Sequence, residues 1–570
     1  MSTKGFAAGI SYQPLAVLSL AVLLFLSRGF LHVLVVPMWE GFDEPFHYAY
    51  LQYIAEHGRL PPLNAPAVSQ EILESLQLFP TTPHLSHLTP MRFKNFWELG
   101  AAERVRLRQS LDSIEPPSKY QLTHLANYQT QHPPLYYLLF VPVYLGARDL
   151  SLVDRVFLLR SFSLLLAAVS LPLGYVLARR ILGNNWAVFV PVLMSLYPNY
   201  YVFIGRVTND ALAVVIFPLI IMATAKLRLK SSTPADLFSA GCLLALGLLT
   251  KVYFLTAVPV PVSIVFLKRF QGKLTSKKCA VELLLVLLPS ALVAGWWYTR
   301  NYIQVGAFSG LGGNRMISSL PLIAWIKALP HLRLGQLGQL VFKLHLWAGN
   351  WSIRMVTKEV YQLFGVVYVL CGIGIIRSLL RNHLFLHIEP NQEQESRHYF
   401  IISSGFLLLF LAGLIHFGWS NTVAGIFIDP ELLNTGFGWY LNVLLPVEAI
   451  LIFLGIQGLV GIHGGRIGSL IVLGLFIVLD HVALWSREIP YYAGLSIRVA
   501  QPFADSAHTV QQVVASLVLA FRRVAFLGPH WSSAGLLLSS ILLTLSVTVA
   551  TFVFVHRCLS HTPPISTAQE

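Results

Sequence analysis

The chain has 570 residues, 55% of them hydrophobic and only 12% charged, with a mean hydropathy of +0.64. A soluble domain carries about 25% charged residues, so this composition cannot cover a water-facing surface of such size, and the chain reads as a polytopic membrane protein. The net charge of +14 fits cytoplasmic Lys/Arg loops facing anionic lipid. No basic tract interleaved with aromatics points to nucleic acid. Cys242, Cys279, Cys371 and Cys558 are scattered without a CxxC spacing, which argues against a disulfide framework or a cysteine metal site.

The first apolar run, 14–36, is too long for a signal-peptide core and no small-residue cleavage site follows it, so it is expected to be a retained span. Directly after it comes Trp39-Glu40-Gly41-Phe42-Asp43-Glu44-Pro45-Phe46-His47-Tyr48-Ala49-Tyr50. Asp43 is placed to cap a helix whose first turn tolerates Pro45. Asp43, His47 and Tyr50, at spacings of four and three, then share one face. Asp43 with Glu44 and His47 is a candidate general base or metal site, the alternative being a plain helix cap with solvated charges.

Further apolar runs long enough to cross recur at about 155–178, 186–204, 209–226, 235–250, 252–267, 280–298, 360–377, 399–418, 438–457, 468–485 and 532–555. Lipid-exposed backbone must satisfy itself, so these are helices. The run 133–149 is short, opens with Pro133-Pro134 and contains Pro142. If it does not cross and the N-terminus is cytoplasmic, several basic clusters fall inside: Arg179-Arg180, Lys226/Arg228/Lys230, the cations from Lys268 to Lys278, and Arg377/Arg381. If it crosses, all of them move outside, against the positive-inside trend. It is therefore read as a helix lying along or dipping into the outer leaflet. The expectation is an all-α protein of about twelve crossings, thirteen if 133–149 crosses, with both termini inside. Its outer loops are 37–154, 205–208, 299–359, 419–437 and 486–531. The first loop, by far the longest, bears amphipathic stretches at 71–76 and 96–99 that read as interfacial helices. No internal repeat is apparent, which weighs against inverted-repeat transporters.

Three more constellations fall on the same outer side. Gly205-Arg206-Val207-Thr208-Asn209-Asp210 sets a cation, an amide and a carboxylate in a short turn, with Arg206 suited to a phosphate and Asp210 to a metal or a substrate hydroxyl. The alternative is a polar turn with an Asn/Asp cap. Gln131-His132-Pro133-Pro134-Leu135-Tyr136-Tyr137 offers His132 and Tyr136 for substrate, against an interfacial aromatic belt. Trp296-Trp297-Tyr298-Thr299-Arg300-Asn301 puts Arg300 outside, where an anionic partner would favour it. Lys251, Arg315, Lys343 and His345 are further outer cations suited, as a set, to a lipid phosphate.

Asp43-Glu44 after the first span, His132 to Tyr137, Arg206 with Asn209-Asp210, and the Trp297-Tyr298-Thr299-Arg300-Asn301 exit together resemble the GT-C superfamily of membrane glycosyltransferases. The resemblance is to the bacterial branch related to protein O-mannosyltransferases and lipid A aminoarabinose transferases, and it covers roughly residues 14–460. It implies a GT-C-like catalytic module over 1–460, leaving the spans and loop of 461–570 without an assigned role. It also implies a polyprenyl-phosphate sugar donor, an acceptor glycan, lipid or protein on the outer face, and inverting transfer. By the same resemblance Asp43 matches the catalytic base and Asp210 the second acidic position, which in relatives helps bind a metal or the substrate. Asp43, His47 and Asp210 would then be the candidate ligands of a divalent ion (Mg, Mn or Zn). The implied location is a bacterial inner membrane with the site on the periplasmic side. Relatives often carry Gly-Arg-Tyr-Leu…Pro on a late span; here the stretch is Gly438-Trp439-Tyr440-Leu441…Pro446, with Trp439 at the Arg position. A transporter or flippase of a lipid-linked or anionic solute is the other reading, kept open by ionisable residues inside apolar runs: Arg28, Arg160, Glu282 and Asp480.

Overall fold

The computed structural model describes residues 12–81, 91–114, 120–228, 233–310, 316–317, 319–381, 390–433, 435–495 and 510–559. Lys230 and Arg315 lie outside them. Among the described residues the ordered elements are helices, joined by loops with two isolated bridges, Pro66–Ala126 and Ser69–Leu122.

Among the described residues, nine helices are long and apolar enough to cross a membrane, or ten if the bent pair Asn184–Leu196 and Pro198–Ile204 is one span. The 65° bend falls at Tyr197, which precedes Pro198; a residue before proline is pushed out of the α region. Two of the expected crossings are shorter helices, Asp210–Lys226 of 17 residues and Pro234–Leu248 of 15, against the roughly 20 that a hydrocarbon core takes. The structure thus has fewer full-length spans than the expected twelve. Leu135–Gly146, the run set apart for its prolines, has 12 residues with Pro142 inside and is too short to cross. Near Gly461 a positive φ of 75° splits one continuous helical stretch into two spans, Gly438–Gly461 and Gly464–Tyr492.

The ionisable residues inside the apolar runs all have partners. Arg28 on the first span meets Asp480 at 2.8 Å, Lys268 meets Glu282 at 3.1 Å, and Arg160 meets Glu44 at 2.5 Å. Charge at this depth is tolerated only when it is neutralised.

The first loop is built on the bundle rather than hung from it. Its helices are Glu44–His57, Gln70–Leu78, Phe93–Glu98 and Ala101–Asp112, the second and third falling on the two amphipathic stretches. Arg155, on the helix Leu152–Ala168, holds buried Glu71 at 3.0 Å, and Tyr48 and Gln52 donate to the same carboxylate. Trp39 Nε1 donates to Ser75 Oγ at 2.9 Å. Pairs this deep add little net stability, but removing one partner strands a buried charge, so they specify one seating of the loop.

Candidate functional site

The segment between the first span, Tyr12–Val35, and the helix Glu44–His57 is conformationally unusual. Trp39 and Asp43 both have positive φ, 69° and 58°. Non-glycine residues enter this left-handed region at a cost of about 1 kcal/mol or more. Asp43 does precede the helix, as expected of a cap, but its side chain makes no cap hydrogen bond. An ordinary cap residue is extended, and its carboxylate folds back onto the first-turn amides. At φ 58° the carboxylate is swung away. Only the Asp43 carbonyl serves the helix, accepting from the amides of Phe46 and His47 at 3.0 Å each.

The freed carboxylate is half-buried and accepts from the Tyr128 hydroxyl at 2.5 Å. Burial raises its pKa above the usual aspartate value, while Tyr128, Arg206 and Lys251 act in the opposite direction. Glu44, the next residue, is fully buried. Arg160 binds it through Nε at 2.7 Å and Nη2 at 2.5 Å, and the amides of Trp39 and Val207 complete its shell at 3.2 and 3.1 Å. Glu44 therefore ties the first loop, the helix Leu152–Ala168 and the 205–208 turn together, and offers nothing to a ligand.

The 205–208 turn brings the second acid. Asp210 is fully buried. Its Oδ1 accepts from Lys251 Nζ at 2.6 Å and Tyr253 OH at 3.0 Å, and its Oδ2 from Arg206 Nη2 at 3.2 Å and Thr208 Oγ1 at 3.1 Å. The turn packs directly on the first loop: a Cβ on Gly41 would lie 2.9 Å from Arg206 Cβ. Arg206 also stands 5.1 Å over the Phe42 ring, and its buried Nε has no hydrogen-bond partner. Asn209 donates to the Thr250 carbonyl at 3.0 Å, fixing the turn that presents Lys251. Phe42 stacks on Trp439 at 4.5 Å, and Lys251 Nζ lies 5.0 Å from the Tyr440 ring. Trp439 supplies a ring here, and the cations beside it and Tyr440 are Arg206 and Lys251.

The histidines line the other side. His47 and His132 stack at 5.5 Å, and His47 Nδ1 bonds the Tyr137 hydroxyl at 2.6 Å. Burial pushes His47 well below its usual pKa and His132 down to about 3, with Lys251 adding to both. Both rings are neutral near pH 7, so they can donate or accept hydrogen bonds but cannot offset an anion. Tyr136 bonds Ser163 at 2.7 Å and accepts from the Thr208 amide at 3.2 Å. Arg300 donates to the Pro61 carbonyl at 2.7 Å and lies 4.5 Å from the Trp297 ring, bracing the first loop.

The structure thus gathers Asp43, His47, His132, Tyr136, Arg206, Asn209 and Asp210 at one end of the bundle, leaves Glu44 sealed and sets Arg300 on the loop's edge. Tyr128 and Tyr253 are additional members; nothing in their local sequence marks them, since Tyr128 lies 85 residues from Asp43. Lys251, one of the outer cations that the sequence suits to a lipid phosphate, joins the cluster through Asp210. The donor set does not suit the divalent ion considered for Asp43, His47 and Asp210. Both Asp210 oxygens face cations, His47 Nδ1 is engaged, and among the described residues no group of three or more His, Cys, Asp or Glu side chains is placed to hold a metal.

Residues 140–297 match the family model of dolichyl-phosphate-mannose-protein mannosyltransferases. No curated protein matches the sequence. Among solved structures, ArnT from Cupriavidus metallidurans in the apo state is similar at 12% identity, with 85% of this chain and 75% of that chain covered and a TM-score of 0.37. The apo oligosaccharyltransferase of Archaeoglobus fulgidus is similar at 13% identity, with 92% of this chain and 56% of that chain covered and a TM-score of 0.36. This chain therefore spans little more than half the length of the archaeal enzyme, and similarity this low carries no argument about the site. The family match spans under half of the chain but includes Arg206, Asn209, Asp210 and Lys251. What the match shows is similarity to that mannosyltransferase family over 140–297, on a chain whose described residues are helical and include spans long and apolar enough to cross a membrane.

Proposed function

We propose that the protein transfers a sugar from a polyprenyl-phosphate donor to an acceptor hydroxyl at the outer face of the membrane, with inversion at the anomeric carbon. The observation that carries this reading is the half-buried Asp43 carboxylate, held off its helix by a left-handed backbone and within electrostatic range of Arg206 and Lys251. In this reading Asp43 takes the acceptor hydroxyl's proton as the oxygen attacks the anomeric carbon. The bond from that carbon to the phosphate oxygen breaks, and the lipid phosphate leaves with the electron pair. Arg206 and Lys251 offset the charge that develops on it, so no strong acid is required. Asp210 acts as a positioning residue, holding both cations in place. His47, His132, Tyr136 and Asn209 shape the sugar and phosphate subsites, while Glu44 and Arg300 hold the loop. The same reading sets the site on the periplasmic side of a bacterial inner membrane, with both termini cytoplasmic.

Mass spectrometry of outer-face glycans and glycolipids, comparing a strain lacking the protein with its parent, tests this function. The expected result is one missing sugar substituent together with accumulation of a polyprenyl-phosphate sugar. Unchanged glycans and lipids would overturn it.

A further inference from the structure

A second polar cavity, of about 320 Å³, lies apart from the Asp43 cluster and is lined by Lys94, Arg354, Ser486, Arg487 and Tyr491, with Gly494 and Leu495 at its edge. Its walls come from the helix Phe93–Glu98, the loop after Trp351 and the π-helical turn Val482–Glu488 with the short helix behind it. Three cations converge on it, and the neighbourhood adds more. Gly494 packs so closely on Trp97 that a Cβ would fall 2.4 Å from the ring. Arg104 and Arg523 stand 5.4 and 5.0 Å from that same ring.

Apart from an exposed Lys94–Glu98 pair, what holds these cations is rings and backbone carbonyls. Arg354 lies 3.7 Å from the Tyr491 ring. Arg104 and Arg523 donate to backbone carbonyls of Leu99 and Ala493. The buried Nε of Arg487 has no hydrogen-bond partner. Lys94 pairs with Glu98 at 3.7 Å, but both are well exposed, and such a pair contributes little. Glu40, linked to Tyr491 through Ser352, is fully buried, accepts from the Ser352 amide at 2.8 Å, and is pushed up to about 8 by burial. Burial thus keeps it mostly protonated at neutral pH. Guanidinium forks that form no ion pair among the described residues, around a polar cavity, suit a tetrahedral oxyanion.

We propose that this cavity binds a phosphoryl group, carried by a lipid headgroup or as free phosphate. Arg354 and Arg487 supply forked donors and Lys94 a point charge. The cavity adjoins the loop that carries Asp43, because Ser352 donates to Glu40 and bonds Tyr491 at 2.9 Å. The site does not depend on the transfer reaction proposed above.

Two arms distinguish the sources. In the first, delipidated full-length protein in detergent is titrated with inorganic phosphate at constant ionic strength, by calorimetry. In the second, protein from nanodiscs of phosphatidylcholine, with or without phosphatidic acid, is examined for retained lipid by native mass spectrometry. Binding in the first arm indicates free phosphate, and retention of phosphatidic acid alone indicates a headgroup. Lys94→Ala/Arg354→Ala, both exposed and expected to fold, should weaken either signal about tenfold, roughly 1.4 kcal/mol, with an unchanged unfolding temperature. Arg487→Ala should do the same if it folds. Absence of binding in both arms would overturn the proposal. So would binding that survives the double variant, or that is lost only in Lys251→Ala, which would assign the anion to the Asp43 cluster.

Discussion

Asp43 and Glu44 are adjacent in the chain and held in opposite ways. Glu44 is sealed, with an arginine fork and two backbone amides on its oxygens. Asp43 is half-buried, has Tyr128 on one oxygen, and sits in a strained backbone that denies it the helix amides. A carboxylate whose lone pairs are all taken inside a protein is structure; one that keeps a free lone pair and an elevated pKa can accept a proton. The contrast repeats at the 205–208 turn, where Asp210 is saturated by four donors while Arg206 keeps a free buried nitrogen.

The comparison can be broken from its structural side first. Arg160→Ala should leave Glu44 buried and uncompensated, costing about 3–5 kcal/mol; a large fall in unfolding temperature in nanodiscs checks it, and a change below about 1 kcal/mol would mean that Glu44 is not the anchor described. Lys251→Ala should lower transfer about 10²–10³-fold, the usual cost of one preorganised charge-stabilising donor, with a much smaller effect on stability than Arg160→Ala, since Arg206 still faces Asp210. Gly41→Ala pushes a methyl into Arg206 and should cost about 1–3 kcal/mol as overpacking, with a parallel loss of activity. Tyr128→Phe has the smallest effect and the clearest sign. The Tyr128 hydrogen bond favours ionised Asp43, so its removal should raise the Asp43 pKa and move the acid limb of kcat/KM to higher pH. A limb that stays put or moves down would detach Tyr128 from the base.

Much of this arrangement was legible from residue order. The apolar runs and the charge asymmetry between loops put Asp43, His132, Arg206 and Asp210 on one side, and they do meet at one end of the bundle. What local sequence could not convey was pairing across long separations. Arg160 inside an apolar run read as a transport-like charge, yet it is the clamp on Glu44, 116 residues away. Asp43 read as a helix cap because Asp before a Pro-containing first turn usually is one; the left-handed backbone that overrides this stands beside the Glu44 knot, with Trp39 docked on Ser75. The expected crossings 209–226 and 235–250 form helices of 17 and 15 residues, close to the lengths of the apolar runs themselves.

The central claim is that Asp43, and not Glu44 or Asp210, takes the proton. It is tested most directly by the transfer rate of Asp43→Asn in nanodiscs, with the polyprenyl-phosphate lipids accumulated by a strain lacking the protein as donor. Because burial raises the folded pKa of Asp43 above its unfolded value, the ionised side chain costs stability as pH rises through that window. Asparagine removes this cost, so the unfolding temperature at pH 7 should be unchanged or higher. The rate should fall at least about 10³-fold. A folded Asp43→Asn variant that transfers at the wild-type rate would contradict the account.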